Sequence, residues 1–371
     1  MKRQLKHARR VVIKIGSALL VDDVTGRLRR SWLEALAADI ADFRGRAKDV
    51  LVVSSGSIAL GRRHLGLDRN DLRLEEKQAA AAVGQVRLAH AYQECLARHD
   101  LSAAQVLLTI ADTEQRRQYL NARSTISALL KLGAIPVINE NDTVATEEIR
   151  FGDNDRLAAR VAQMISAECL VILSDVDGLY TADPGTDPEA TRIDEVAELT
   201  PEIHAMAGNP RKRDGSGGMI TKLQAADIAV RAGCHTLIAS GRVDHPLTAI
   251  VDNGGGTWFR PHATPRTARK LWIAGSLKPA GRLTVDAGAA TALAAGKSLL
   301  PAGVVAVAGG FERGDSVVVL DHDGSELGRG LCAYSGADAR QIRGHKSSEI
   351  EAILGYRGRD EMIHRDDLVL T

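Results

Sequence analysis

The stretch Val11-Val12-Ile13-Lys14-Ile15-Gly16-Ser17 decides the fold. Its apolar residues are all β-branched and follow one another without polar alternation. That pattern marks a strand buried on both faces, as in a parallel sheet covered by helices. Gly16-Ser17 then breaks the run with a turn. Lys14 is the anomaly, because an ammonium inside an apolar strand is costly unless an anion meets it. A lysine snorkelling from a strand end is the plainer alternative. Bound phosphate is the better partner, since a glycine lets backbone N–H groups approach it closely.

Five further runs share this texture: Val50–Ser54, Val106–Thr109, Ile135–Ile138, Leu170–Leu173 and Thr236–Ala239. Helical patterns separate them. Ser31-Trp32-Leu33-Glu34 reads as a capping box opening a helix to about Arg44. Glu75–Arg98, Asn121–Leu132, Asp155–Ala167 and Thr221–Ala232 follow, and Gly133 and Gly233 stop two of them. Strand and helix in alternation predict an α/β three-layer sandwich around a mainly parallel sheet, with ligands outside the carboxyl ends of the strands.

This texture ends near residue 261. Residues 262–270 are polar, contain Pro265 and lack a period, so they read as a linker. From 271 to 371 the expectation is a small, mostly β domain. Its strands are Gly281–Val285, Val304–Ala308, Ser316–Leu320 and Gly330–Tyr334, divided by turns such as Asp323-Gly324. The first domain then covers residues 1–261.

Composition narrows the function. The 371 residues are 44% hydrophobic and 26% charged, the mixture of a globular protein. Forty-eight Lys and Arg against 47 Asp and Glu leave a formal charge of +1, which disfavours a chain built to grip a polyanion. Aromatic residues are 3%, too few for a stacking platform for single-stranded nucleic acid. Cys95, Cys169, Cys234 and Cys332 are widely spaced among apolar or small neighbours, which predicts buried free thiols in a reducing, cytoplasmic setting. Lys14 interrupts the first apolar run and no small-residue cleavage site closes it, so a secretory signal is rejected. The histidines show no metal-ligand spacing, and no metal ligand is assigned.

Polar clusters sit at the strand ends. Ser54-Ser55-Gly56-Ser57 offers hydroxyls and amides at a helix start, either an anion seat or a plain cap. Asn139-Glu140-Asn141-Asp142 and Asp153-Asn154-Asp155 place seven carboxamides and carboxylates within 17 residues, more than capping needs. Such groups read an α-amino group, orient lysines or assist a metal ion. Ser174-Asp175 follows the fifth strand. Gly215-Ser216-Gly217-Gly218-Met219-Ile220-Thr221-Lys222 is a glycine loop entering a helix with a lysine in its first turn, a phosphate cradle without Walker spacing. Two lysines, glycine loops and no covalent nucleophile point to direct phosphoryl transfer, which works by positioning and by neutralising charge.

These clusters, in this order, resemble the amino acid kinase family, and within it the branch that phosphorylates glutamate. The matching stretches are residues 12–17, 53–56, 77–85, 138–142, 151–155, 177–181 and 217–222. Residues 281–358 are similar to a PUA domain. The resemblance implies ATP, brought with Mg²⁺, as phosphoryl donor and the side-chain carboxylate of L-glutamate as acceptor. It implies that Lys14 and Lys222 neutralise the transferring group while Asp155 holds them. Ser55, Asp142 and Asn154 would bind glutamate, with Asp142 a partner for its ammonium. Lys14, Ser174, Asp175 and the loop Ser216, Gly217, Gly218, Met219, Ile220, Thr221 and Lys222 would bind the nucleotide. The family also implies a homo-oligomer, dimer or tetramer, and feedback inhibition by proline.

The sequence departs from the family pattern at Ala18, where a hydroxyl residue is usual, at Ser216, where threonine is usual, and in the basic stretch 209–214. Three alternatives remain open at this point. One is a kinase for another acid, such as acetylglutamate or aspartate. The second is an RNA-binding protein acting through the last domain. Residues 271–371 carry 11 Lys and Arg against 13 Asp and Glu, which counts against RNA. The third is a regulatory pseudokinase, which would have lost a catalytic group, yet both lysines and the acidic cluster are present.

Overall fold

The computed structural model describes residues 3–67, 71–144, 153–207, 218–265, 267–268 and 279–370. The chain divides into two compact units, Met1–Pro265 and Arg266–Thr371.

Among the described residues the first unit is built on ten strands: β1 Arg10–Ile15, β2 Asp49–Ser54, β3 Ala103–Leu108, β4 Ile135–Glu140, β5 Cys169–Ser174, β6 Leu179–Tyr180, β7 Arg192–Ile193, β8 Glu195–Val196, β9 His235–Ser240 and β10 Thr257–Phe259. Eight of them form one sheet in the order β3-β4-β2-β1-β5-β9-β10-β8. Its neighbours are parallel except β10 against β9. The six strands read from continuous apolar runs are all present and all parallel, but β3 was expected to be buried and is not: at the edge of the sheet it is half-buried to exposed from Ala103 to Leu107.

Alternation along β1 explains the layers. Val11, Ile13 and Ile15 point into one core, shared with Trp32, Leu36 and Phe43 of helix Arg30–Gly45 and with Leu88 and Tyr92 of helix Leu74–Ala97. Val12 points into the opposite core with Leu157 and Val161 of helix Asp153–Met164 and Leu223 and Ala226 of helix Met219–Arg231. Helices on both faces of one sheet make the expected three-layer sandwich. Lys14 shares the parity of Val12, so its side chain belongs on the face of the second pair of helices. β1 lies between β2 and β5, where the order of the sheet reverses direction, which is the place where open α/β sheets bind ligands.

The predicted capping box at Ser31 is not formed. The helix begins at Arg30, one residue earlier, and its N-cap Arg29 makes no side-chain cap bond. Glu34 accepts instead from Arg30 Nε at 3.2 Å and Arg98 Nη1 at 2.7 Å, so it is drawn to arginines rather than to a backbone amide. All four cysteines are buried free thiols, as their apolar neighbours suggested. Among the described residues no helix is long and apolar enough to cross a membrane.

The second unit is a five-stranded sheet, β11 Gly281–Val285, β12 Val304–Gly309, β13 Ser316–Leu320, β14 Glu326–Leu331 and β15 Leu368–Leu370, in the order β12-β11-β13-β14-β15. It has its own core, including Leu283, Phe311, Val317, Val319 and Ile363. The strand expected at Gly330–Tyr334 starts four residues earlier. Asp321 Oδ1 accepts from Asp323 N and Ser325 N, so the turn closes at once and the strand begins directly after it. Helices Ala287–Ala294, Gly336–Ile342 and Ile350–Leu354, and strand β15, were not anticipated.

Candidate active site

Parallel strands bring their carboxyl ends to one edge, and the polar clusters gather there. Asp155 stands in the first turn of helix Asp153–Met164, where the helix dipole favours a carboxylate. It has no exposed surface, and Lys14 Nζ lies 2.5 Å from its Oδ1. On the other side Lys222 Nζ is 3.8 Å from Oδ2, and Thr221 Oγ1 donates to the same oxygen at 2.8 Å. Both lysine side chains are only 7% exposed, so one buried carboxylate faces two nearly buried cations. Burial alone would raise the Asp155 carboxyl, but the charges of Lys14 and Lys222 outweigh it and hold it below the ordinary carboxylate range. Lys222 is shifted down, first by burial and then by repulsion from Lys14, with Asp155 pulling the other way. The triad carries one net positive charge, the state a phosphate would neutralise.

Gly16, between Lys14 and Ser17, has extended backbone, and a Cβ there would stand 3.9 Å from Lys14 Nζ. A Cβ would make only ordinary contacts there. The sequence reading of Lys14 as a lysine needing an anion is answered within the chain by Asp155.

A second network adjoins the triad through the neighbouring residue Asn154. Asn154 Nδ2 donates to Ser55 Oγ at 3.0 Å and to Asn139 Oδ1 at 3.1 Å. Asn139, at the end of β4 and 1% exposed, donates to Gln85 Oε1 at 2.7 Å and Ser57 Oγ at 3.2 Å. Ser57 Oγ in turn donates to Asp142 Oδ2 at 3.2 Å. Thus Ser55, Asn154 and Asp142, assigned together by the family resemblance, belong to one connected set of hydrogen bonds. Three members were not singled out: Asn139, Ser57 and Gln85. Each lay inside a quoted stretch, but nothing in one dimension says that Gln85 of helix Leu74–Ala97 meets β4.

That meeting depends on two glycines. Helix Ser57–His64 crosses helix Leu74–Ala97 so closely that a Cβ on Gly84 would stand 1.7 Å from Ser57 O. A Cβ on Gly61 would stand 1.7 Å from Ala80 O. Only backbone against backbone fits here, and the fit seats Ser57 and Gln85 on either side of Asn139.

The candidate nucleotide residues are partly visible. Ser174 Oγ donates to Asp175 Oδ1 at 2.9 Å at the end of β5, and Arg242 Nε donates to Asp175 O at 3.0 Å. Asp175 also acts electrostatically on Lys222, which ties this strand end to the triad. Gly218 caps helix Met219–Arg231 in an extended conformation, with open space where a Cβ would be. Met219 and Ile220 are half-buried in its first turn. Ser216, Gly217, the basic stretch 209–214, and Phe151 and Gly152 of the 151–155 motif lie outside the described residues. Among the described residues no group of three His, Cys, Asp or Glu side chains is arranged to hold a metal ion.

Comparison with known proteins gives the family of the chain. The amino acid kinase family matches residues 9–240, and the PUA domain matches residues 281–354. A relative from Paramagnetospirillum magneticum, named glutamate 5-kinase, is 66% identical over 366 residues, covering 99% of both chains. One from Rhizobium meliloti, named glutamate 5-kinase 1, is 60% identical over 370 residues, covering 100% of this chain and 94% of its own. Among solved structures, a UMP kinase from Ureaplasma parvum aligns with a TM-score of 0.48 at 15% identity, over 68% of this chain and 98% of that one.

Proposed function

This chain belongs to the amino acid kinase family, and on that premise we propose that it transfers the γ-phosphoryl group of ATP to the side-chain carboxylate of L-glutamate. The products are L-glutamyl 5-phosphate and ADP, and the reaction opens the route to proline. The observation that carries the reading is one buried carboxylate, Asp155, holding two lysines from opposite elements at the carboxyl edge of the sheet, beside a network of carboxamides.

The chemistry suits these groups. A side-chain carboxylate is already ionised at neutral pH, so the nucleophile needs no general base. One carboxylate oxygen forms the new bond to the γ-phosphorus as the bond to the β,γ-bridging oxygen breaks, and that electron pair leaves with ADP. The difficulty is charge, since an anion attacks a polyanion. Lys14 and Lys222 neutralise the transferring group, and Asp155 fixes the two ammoniums, which would otherwise repel each other. Held below the ordinary range, Asp155 is a poor proton acceptor and a good anchor.

Ser55, Asn154 and Asp142 seat glutamate, with Asp142 facing its ammonium. Ser174, Asp175 and residues 216–222 seat the nucleotide. Mg²⁺ arrives as part of the Mg-ATP substrate, bound to the phosphates. The reading extends to a homo-oligomer, to inhibition by proline and to the reducing cytoplasm, which suits four buried free thiols.

ADP release coupled to a reporter, measured with L-glutamate, N-acetylglutamate and L-aspartate, with and without proline, tests the proposal. Turnover with glutamate alone, reduced by proline, is expected. Turnover with N-acetylglutamate or aspartate and none with glutamate would overturn it.

A further inference from the structure

The orientation of two buried amides can be derived from the hydrogen bonds around them. Glu140 N lies 2.9 Å from one terminal atom of Asn139, and a backbone amide only donates, so that atom is the oxygen. The other terminal atom is the nitrogen, and its two hydrogens are directed to Gln85 Oε1 and Ser57 Oγ. Asn139 therefore spends both donors and both acceptor directions inside the chain. Because its oxygen is an acceptor, the Asn154 atom 3.1 Å away is a donor nitrogen, which also serves Ser55. What Asn154 has left is Oδ1, a buried carbonyl oxygen with no hydrogen-bond partner among the described residues. Leaving such an acceptor unpaired is costly, and a ligand donor removes that cost.

We propose that Gln85, through Asn139, is a positioning residue that holds Asn154 with Oδ1 as the open acceptor, and that this acceptor selects a substrate with a free ammonium group. The inference rests on the glutamate reading above. Asn154 precedes Asp155 in sequence, so its amide ties the two lysines to the acid's seat. A free α-ammonium supplies the missing donor. An acid lacking the amine leaves Oδ1 unpaired, and an N-acylated acid brings one amide hydrogen and the bulk of its acyl group. The same short chain of amides that orders the seat thus chooses among acids that all carry the reactive carboxylate.

The test compares wild type, Gln85→Met and Gln85→Glu, all as full chains with Mg-ATP, against L-glutamate and against glutarate, which has the same carbon chain without the amine. Gln85→Met keeps the bulk and removes the acceptor that Asn139 uses, whereas Gln85→Glu restores it. The wild type should bind glutarate at least about 100-fold more weakly than glutamate, as a site built around a hydrogen bond rejects an analogue lacking it. Gln85→Met should raise KM for glutamate about tenfold, the size of one net hydrogen bond. KM for ATP and kcat/KM for glutarate should stay within about threefold, and Gln85→Glu should return KM for glutamate to within about threefold of wild type.

Equal wild-type affinity for glutarate and glutamate would overturn the inference without any variant. So would an unchanged glutamate KM in Gln85→Met, or equal losses for ATP, glutarate and glutamate that Gln85→Glu fails to restore. Absence of turnover with glutamate in the wild type would instead sink the functional reading on which the inference stands.

Discussion

Asp155 is an ionised carboxylate with no exposed surface, and two lysines explain why it survives there. Its pairing makes testable statements about pH. The folded pKa lies below the ordinary 3.8, so the stabilisation from ionised Asp155 is complete above that value and is lost as pH falls through the lower, folded value. Acid unfolding followed by circular dichroism should show no loss from this group between pH 5 and 7. Asp155→Asn leaves two buried ammoniums facing each other and should cost about 3 kcal/mol or more in denaturant titration.

Lys222 runs the other way. Its folded pKa is depressed below 10.5, so its charged form, proposed above to neutralise the transferring group, disappears as pH rises through that lower value. The pH profile of kcat/KM for Mg-ATP should therefore fall on an alkaline limb below 10.5, and Lys222→Arg should move that limb upward. Lys222→Ala should lower kcat about 100–1000-fold, the usual loss for one charge-stabilising group, with glutamate KM changed less than about threefold. Wild-type-like turnover would make the lysine merely structural. Lys14 was legible in the sequence as a lysine inside an apolar strand that demands a partner, and Lys222 as a lysine in the first turn of a helix entered from a glycine loop. Which carboxylate answered was not legible from the residues themselves, since several stood within the same clusters.

The crossing of helices Ser57–His64 and Leu74–Ala97 shows where sequence reading stops. The stretch Glu75–Arg98 reads as a helix from its sequence, but the close approach at Gly84 has its partner in another helix, and no local pattern specifies it. A Cβ at position 84 would meet backbone, not a side chain that can swing away, so the helices must separate. Gly84→Ala should destabilise the fold by about 1–3 kcal/mol in thermal melts. Because Ser57 and Gln85 sit on that contact, the variant should also raise KM for glutamate more than KM for ATP. Equal effects on both substrates would mean that the crossing does not govern the acid seat. Six of the first unit's ten described strands were read from the sequence for a related reason: an unbroken apolar run is a local signal, and in five of the six it reflects burial on both faces, whereas β3 at the sheet edge is partly exposed. The failed capping box at Ser31 and the displaced strand at Glu326–Leu331 were decided by arginines and by a tight aspartate turn, interactions that outweigh propensity.

Every described residue assigned to the site lies in Met1–Pro265, whose two cores are formed within that unit, and the second unit has a core of its own. A chain ending at Pro265 should therefore keep kcat/KM for glutamate within about tenfold of the full chain, given that each core is self-contained. Loss of all turnover in a folded fragment would assign the second unit a part in catalysis. The near-neutral charge disfavoured a polyanion-gripping protein. The structure gives that balance a finer meaning, because the two site lysines are paired to one carboxylate and their net charge is a single positive one.

The central claim is that this net charge serves the transfer of a phosphoryl group to the side-chain carboxylate of glutamate. Incubating the full chain with Mg-ATP, L-glutamate and hydroxylamine, and identifying the trapped product by mass spectrometry, tests it most directly. The γ-hydroxamate of glutamate should form in step with ADP, and Lys222→Ala should suppress both together. ADP release without hydroxamate, or hydroxamate only when another acid replaces glutamate, would contradict the claim.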